Sequence, residues 1–241
     1  MITSARSPRA RALKRLGTPE NRDRSGLALV EGPNALASAL EAGATIDILA
    51  VTRRAETNRA ALLKRAAAIG ATRIRVADAV MAAICRTATP PALVASVRVP
   101  ADRPQPDTSV LIHGMNDPAG LGAVLQFCAV NGWGAQIASG SVDPFSPKVI
   151  RASNAAAWWI PVVGGVDPVE AVQRARSEGR RSVAIGPDGD EPPAVRPERS
   201  LLVVGSAATR LDVDMRFAAP ATAFPLGPSV SAIRALSAWT A

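Results

Sequence analysis

The sequence predicts an α/β protein of two domains, and this prediction rests on the order and length of its segments. Short apolar segments alternate with helical segments along most of the 241-residue chain, as in layered α/β folds. The proline-rich stretch VPADRPQPDT interrupts this alternation and indicates a semi-rigid linker. The chain is long enough for two hydrophobic cores. We therefore expect domains at residues 1–98 and 108–241, joined by a linker at residues 99–107.

The first domain is predicted to open with a basic helix within Ser4–Leu16, whose apolar face carries Ala12, Leu13 and Leu16. Its cations form either a phosphate-facing arm or an ordinary solvated face. Glu31 and Asn34 are expected to close the first strand-helix turn. The elements expected after the basic helix are strand Leu27–Val30, a helix capped by Asn34 and stopped by Gly43, strand Ile46–Val51, helix Ala55–Ile69, strand Thr72–Val76, helix Ala79–Ile84 and strand Ala92–Val97.

The second domain has the pattern of a parallel sheet. The expected elements are strand Ser109–Ile112, a helix rich in Ala, Leu and Phe, strands Ala135–Ala138 and Trp158–Val163, helix Pro168–Ser177, strands Ser182–Ile185 and Leu201–Val204, and helix Val230–Trp239. Because crossover connections bring the ends of parallel strands together, a ligand site is expected at the edge that holds the glycine-rich turns. Those turns contain Gly120, Gly122, Gly140, Gly164, Gly165, Gly186 and Gly205.

Charge is distributed unevenly along the chain. Residues 1–98 contain 16 Lys/Arg and 7 Asp/Glu, a net charge of +9, whereas residues 99–241 contain 12 and 13, a net charge of −1. An Arg-rich coding bias would raise the charge in both halves, so its concentration in the first half favours a polyanionic partner such as RNA.

Several functional classes are excluded or disfavoured by composition. Cys85 and Cys128 lie far apart and His113 is the only histidine, which excludes a disulfide framework and argues against a metal site. As a lone histidine at a strand end, His113 is expected to be structural. The sequence has no uncharged apolar run of about 18 residues, so we expect a cytoplasmic protein that does not enter a membrane.

Four segments together resemble the SpoU family of the SPOUT superfamily. They are VEGPN (30–34), NDPAGLGAVLQFCA (116–129), SVDPFSPKVIRAS (141–153) and VVG…FPL (203–226), and the resemblance covers nearly the whole chain. It implies a first domain similar to a small ribosomal RNA-binding protein and a second α/β domain with a trefoil knot. It further implies S-adenosylmethionine as the cofactor, a homodimer formed through the second domain, and methylation of a ribose 2′-hydroxyl in rRNA or tRNA.

The motifs depart from the family pattern at positions that carry chemistry. The first motif retains Asp117, but Gly120 takes the usual Asn position and Gln126 the usual Arg position. A neutral amide does not replace a guanidinium at an anionic site, so the catalytic arginine is expected to be lost. The third motif, Gly205–Arg210, lacks its usual carboxylate. The shortened closing motif leaves Ser229 or no residue at the usual Asn position.

The second motif is better retained, with Ser146, Lys148, Arg151 and Ser153 in place and Ala155 at a usual glycine position. Arg151 is expected either to contact RNA or to pair with Asp143. By resemblance, the catalytic candidates are Gln126 and Ser153, and the cofactor-binding candidates are Gly205, Ser206, Phe224, Leu226, Ser229 and Val230. The RNA-binding candidates are Arg9, Arg11, Lys14, Arg15, Asn34, Lys148 and Arg151.

Three functions remain open from the sequence. The first is a ribose 2′-O-methyltransferase, and the second is a catalytically silent RNA-binding homologue or partner subunit. The third is an assembly or regulatory protein that uses the knot domain only to dimerise. Trp158 and Trp159 are expected in the core or a dimer interface more than in stacking on a base.

Overall fold

The computed structural model of this chain describes residues 1–85, 89–186, 199–205, 210–218 and 236. By contacts the chain divides into unit 1, residues 1–101 and 145–159, and unit 2, residues 102–144 and 160–241. The first boundary lies inside the predicted linker, while residues 145–159 group with the N-terminal part. Contacts alone do not define functional domains, so the predicted domain scheme stays a prediction. Among the described residues, no helix is both long and apolar enough to cross a bilayer.

The structure contains helices and strands in alternation along both units. Up to residue 98 they are α1 Pro8–Arg15, α2 Pro19–Ser25, β1 Leu27–Glu31, α3 Pro33–Glu41, β2 Ile46–Val51, α4 Arg53–Asn58, α5 Ala60–Ala68, β3 Thr72–Arg75, α6 Asp78–Cys85 and β4 Leu93–Arg98. Beyond it they are β5 Thr108–His113, α7 Pro118–Asn131, β6 Gly134–Ala138, α8 Pro147–Ala152, the 3-10 helix Ala156–Trp158, β7 Val162–Val166, α9 Pro168–Ser177, β8 Arg181–Gly186, β9 Ser200–Gly205 and β10 Met215–Ala218.

Unit 1 is built on a four-stranded mixed sheet in the order β1-β4-β2-β3. β4 runs antiparallel to both β1 and β2, while β2 and β3 are parallel. Helix α1 packs against α6 through a core that includes Leu13, Leu16 and Met81. The predicted apolar face of α1 was wrong in one position, because Ala10 is buried and Ala12 is exposed.

Two local predictions in unit 1 were wrong and one helix was missed. The predicted helix Ala55–Ile69 is two helices, because Arg59 has φ −134° and residues 57–61 are exposed, so no buried side chain holds the backbone helical there. Helix α2 was missed because its sequence PENRDRS lacks apolar periodicity. The cap of α3 is Gly32 rather than Asn34, which lies inside the helix after Pro33. Proline suits the first helical position because its missing N–H would have no helical partner there.

Unit 2 contains a six-stranded parallel sheet in the order β10-β8-β9-β5-β6-β7. The predicted parallel sheet is therefore confirmed. Its central strands are buried on both faces, as parallel strands covered by helices should be. Helices α7 and α9 begin with Asp-Pro, in which Asp117 or Asp167 accepts hydrogen bonds from first-turn N–H groups.

Two predictions in unit 2 need correction and one falls outside the described residues. The predicted strand Trp158–Val163 is instead the end of a 3-10 helix followed by β7, because the buried Trp158 indole donates a hydrogen bond to the Arg98 carbonyl and Pro161 has no N–H to give. Gly164 and Gly165 consequently lie inside β7 rather than in a turn. Strand β10 was not predicted, and the expected final helix Val230–Trp239 lies outside the described residues apart from the helical Leu236.

Candidate functional site

Unit 1 contains a cavity of about 440 Å³ where β1 ends and α3 begins. A volume of this size is within the usual range for small-molecule sites. Gly32 makes the turn with φ +89°, a conformation that favours glycine, and no side chain caps the first N–H groups of α3. The cavity is lined by Glu31, Gly32, Pro33, Asn34, Ala35, Thr89, Pro91, Arg151 and Asn154. Polar groups from residues far apart in sequence thus meet at one place.

An ion pair lies at this cavity. Nη1 of Arg151 donates to Oε2 of Glu31 at 2.7 Å, and the side chains are 55% and 4% exposed, respectively. The pairing of Arg151 with Asp143 was expected as one alternative, and the ion pair present is with Glu31. Because a guanidinium has five N–H donors, Arg151 keeps further donors for a ligand while Glu31 holds it.

Burial of the Glu31 carboxyl raises its pKa, and the Arg151 charge and hydrogen bonds from Arg151 and the Cys85 thiol offset only part of this shift. Burial and the adjacent carboxylate raise the pKa of Cys85 to about 12, so its thiol stays protonated at neutral pH. A buried carboxylate with a raised pKa costs stability at neutral pH. Such costs are typical of functional sites, although structural ion pairs also produce them.

Helix α8 brings the retained second motif to the cavity. The hydroxyl of Ser146 accepts a hydrogen bond from the N–H of Val149 and starts the helix, Lys148 is exposed, and Arg151 lies in the last turn. Ser153 is buried and its hydroxyl donates to the Ile150 carbonyl, so this predicted catalytic residue does not line the cavity. Its proposed role stays a prediction.

The chain leaves α8 through two non-glycine residues in the left-handed region. Asn154 has φ +50° and Ala155 has φ +61°. Asparagine tolerates this conformation, whereas alanine loses about 1 to 2 kcal/mol in it. The turn explains structurally why a glycine would suit position 155, and it points the exposed Asn154 into the cavity lining.

The predicted basic arm is helix α1. Arg9, Arg11 and Arg15 are exposed and Lys14 is half-buried, and no ion pair involves any of the four within the part of the chain that the structure describes. Their positive charges are therefore available to a polyanion. Whether they bind RNA stays a prediction.

In unit 2 the structure places only some of the predicted site residues. Gln126 is exposed on α7, and Gly120 is buried in the first turn of the same helix. Gly205 ends β9 opposite His113, with φ +97°, and a Cβ there would overlap the His113 carbonyl oxygen. This close backbone approach is a structural reason for glycine. The other cofactor candidates lie outside the described residues; these are Ser206, Phe224, Leu226, Ser229 and Val230.

Sequence reasoning did not identify the pairing of Glu31 with Arg151, nor Thr89 and Asn154 as cavity residues. Glu31 and Arg151 are 120 positions apart, and no local pattern links them. Within the described part of the chain, no group of three or more His, Cys, Asp or Glu residues is arranged to hold a metal ion.

Comparison with known proteins shows what this chain is similar to. Residues 7–95 match the family described as the MRM3-like substrate binding domain. A Synechocystis protein named as an uncharacterized tRNA/rRNA methyltransferase is 25% identical over 195 residues, which cover 79% of this chain and 71% of the relative. A crystal structure of an RNA 2′-O ribose methyltransferase is 25% identical, with a TM-score of 0.73 and coverage of 99% and 96% of the two chains. The chain is thus similar to RNA methyltransferases over nearly its whole length.

Two further methyltransferase structures have the same fold along almost their whole length. The AdoMet-bound rRNA methyltransferase from Sinorhizobium meliloti has a TM-score of 0.78 at 19% identity, covering 99% of this chain and 97% of that one. The SpoU methyltransferase AviRb from Streptomyces viridochromogenes, in complex with AdoMet, has a TM-score of 0.79 at 22% identity, covering 98% of each chain. At these identities the likeness shows the fold alone. The expected resemblance to SpoU methyltransferases and the expected α/β fold are confirmed.

Proposed function

We propose that this protein is an RNA methyltransferase that holds RNA with unit 1 and methylates a ribose 2′-hydroxyl. The distribution of charge between the two units carries the RNA-binding part of this proposal, and methylation of a ribose rests on the similarity to RNA methyltransferases. Unit 1 has 18 Lys/Arg and 7 Asp/Glu, a net charge of +11, whereas unit 2 has 10 and 13, a net charge of −3. The cavity with the anchored Arg151 lies in the positive unit. A polyanion gains affinity from such a concentration of cations.

Within unit 1 the residues have separable roles. Arg9, Arg11, Lys14 and Arg15 on α1, with Lys148 on α8, would neutralise phosphates, which adds affinity without sequence preference. Arg151 is already partly neutralised by Glu31, so it serves better as a directed hydrogen-bond donor than as a free charge. Together with the amide of Asn34 it would orient one nucleotide in the cavity.

S-adenosylmethionine is the proposed cofactor, and relatives of this fold have been crystallised with it. When bound, it would supply an electrophilic methyl group. Its expected place is the edge of the unit 2 sheet where the parallel strands end, the usual ligand edge of such sheets. Gly205 ends β9 at this edge with φ +97°, and the close backbone approach that it permits is to His113. Gly205, Ser206, Phe224, Leu226, Ser229 and Val230 would hold the cofactor.

A second candidate function is favoured by Gln126. This residue stands on α7 where SpoU proteins usually carry an arginine, and an amide does not supply a positive charge. Under this second hypothesis the chain binds RNA as a catalytically silent homologue or as the partner of an active subunit. Ser153 is the remaining catalytic candidate under the first reading, although its hydroxyl bonds to Ile150.

We further propose that unit 2 carries the trefoil knot and forms the homodimer. Both points rest on the resemblance to SpoU proteins. Helix α7 offers a place to test the second one: Leu121, Val124, Leu125 and Cys128 are buried, whereas Val130 is 87% exposed, although a single exposed apolar side chain does not by itself require a partner. Replacing Val130 with lysine should then lower the molar mass measured by light scattering.

The deciding experiment is calorimetric titration of the full chain with S-adenosylmethionine, followed by transfer of a tritiated methyl group to rRNA and tRNA transcripts. We expect micromolar binding and incorporation at a ribose. Arg151→Gln should bind the cofactor normally and lose incorporation, which separates RNA positioning from cofactor binding. Binding of S-adenosylmethionine without methyl incorporation into RNA would favour the second candidate function. A titration without detectable heat of binding would contradict the methyltransferase hypothesis.

A further inference from the structure

Two adjacent tryptophans in unit 1 have different environments. Trp158 is 4% exposed, packs edge to face against Phe145 and donates its indole N–H to the Arg98 carbonyl. Trp159 is 49% exposed, and it is the only aromatic among the large exposed apolar side chains of the described residues. These tryptophans were expected in the core or in a dimer interface; Trp158 lies in the core, whereas Trp159 does not.

The indole of Trp159 is fixed although it is exposed. Its Nε1–H donates to the Ser38 hydroxyl of α3 at 3.0 Å. Because this bond satisfies the polar edge of the indole, the surface left to solvent is mainly apolar ring. An ordered, exposed aromatic face loses little conformational entropy on binding, which makes it a good contact surface.

Trp159 is anchored next to the cavity. Ser38 follows Asn34 by four residues in α3, and residues at that spacing share one helix face about 6 Å apart along the axis. Asn34 itself lines the cavity with Arg151. The Trp159 indole is thus hydrogen-bonded one helical turn away from Asn34, whose amide is proposed to orient a nucleotide.

We propose that Trp159 is a stacking platform for an unpaired base of the RNA, adjacent to the nucleotide oriented by Arg151. This inference rests on the proposed RNA binding by unit 1. Base stacking on aromatic side chains is a general mode of single-strand recognition and tolerates any sequence. A protein partner fits the surroundings less well, because one half-exposed side chain offers far less than the roughly 800 Å² per partner of a typical interface.

The test compares Trp159→Leu and Trp159→Phe in binding a single-stranded oligoribonucleotide of mixed sequence and the duplex of the same sequence. We expect Trp159→Leu to weaken single-strand binding by about 5-fold to 100-fold, while Trp159→Phe stays within a few-fold of the wild type. Duplex binding should not change, because paired bases are already stacked. The slope of log K against log salt should also stay the same, because no phosphate contact is lost.

Ile69→Ala, which shortens another exposed apolar side chain of unit 1, is the matched control and should bind like the wild type. Equal single-strand affinity of Trp159→Leu and the wild type would overturn the proposal, as would equal losses for single strand and duplex. A change in molar mass with unchanged RNA affinity would assign Trp159 to a protein interface instead. Failure of the wild type to bind RNA would overturn the proposed function itself and with it this inference.

Discussion

The two units differ in net charge, in the type of β-sheet and in how many motif residues match the SpoU pattern. Unit 1 has a net charge of +11 and a mixed sheet, whereas unit 2 has a net charge of −3 and a parallel sheet. The retained motif residues Lys148, Arg151 and Ser153 group by contacts with unit 1, while the substituted positions Gly120 and Gln126 lie in unit 2. The residues suited to RNA binding thus lie in the positively charged unit, and apart from Ala155 the substituted positions fall in the unit proposed to hold the cofactor.

The largest expected effect comes from changing Gly205 in unit 2. Gly205→Ala should lower the free energy of unfolding by about 2 to 5 kcal/mol, because the added Cβ overlaps the His113 carbonyl oxygen and φ is +97°. Denaturant unfolding measures this loss. Gly140→Ala is the control, since φ is +83° there but nothing lies within 4 Å of the new Cβ. Equal losses for the two variants would contradict the argument from close backbone approach.

In unit 1 the next largest effect is expected from Arg151→Gln. It leaves the buried Glu31 carboxylate without its cation and should cost about 1 to 3 kcal/mol at pH 7, less than for a fully buried pair because Arg151 is half exposed. Glu31→Gln should be at least as stable as the wild type, since it removes the buried charge. Thermal unfolding of both variants would show this asymmetry, and similar losses for both would contradict it.

The pH dependence of Glu31→Gln tests the same pair. The pKa of Glu31 is raised in the folded chain, so the folded state binds this proton more tightly than the unfolded state does. The stability that protonation contributes is complete below the ordinary pKa of 4.5 and is lost as pH rises through the raised value. The advantage of Glu31→Gln over the wild type should therefore grow between pH 4 and pH 7. A constant difference would mean that the carboxyl is not perturbed.

Regular elements were predictable where the periodic pattern was strong. Strand Ile46–Val51 and helix Pro168–Ser177 match the prediction, because apolar alternation and an Asp-Pro start are local signals. The break at Arg59 and the 3-10 helix before β7 were not predictable, since exposure around residue 59 and the bond from Trp158 to Arg98 depend on tertiary packing. Local sequence specified element type better than element ends.

The candidate site was only partly predictable. The resemblance selected Asn34 and Arg151, and the structure brings both to one cavity. Glu31 was expected only to close a turn, because nothing in the sequence shows that a residue 120 positions later meets it. The exposure of Trp159 was not predictable either, because only the tertiary structure determines which of two adjacent tryptophans is buried.

Helix α1 offers a test of the charge difference. Changing Arg9, Arg11 and Lys14 together to alanine should weaken RNA binding and reduce the slope of log K against log salt by about 2, because three phosphate contacts are removed. Changing the exposed Arg174, Arg181 and Arg199 of unit 2 to alanine removes the same charge and is the matched control. An unchanged slope for the α1 variant, or equal changes for both, would remove α1 from the RNA-binding surface.

The smallest effect is expected at the end of α8. Ala155→Gly relieves about 1 to 2 kcal/mol of left-handed strain. The same change gives up the burial of a methyl group, about 0.8 kcal/mol, and adds about 0.5 to 1 kcal/mol of unfolded-state entropy. Ala155 has φ +61° and is fully buried, so the gain from relieved strain and the loss of methyl burial both apply. The net change in the free energy of unfolding should lie within about 1 kcal/mol of zero.

Ala155→Val keeps the strain and crowds the core, so denaturant unfolding should show a loss of about 1 to 3 kcal/mol. A large gain in stability for Ala155→Gly would mean that alanine at the usual glycine position destabilises the fold. A costly substitution would then lie in unit 1 as well, and the two units would differ less in their motifs than proposed.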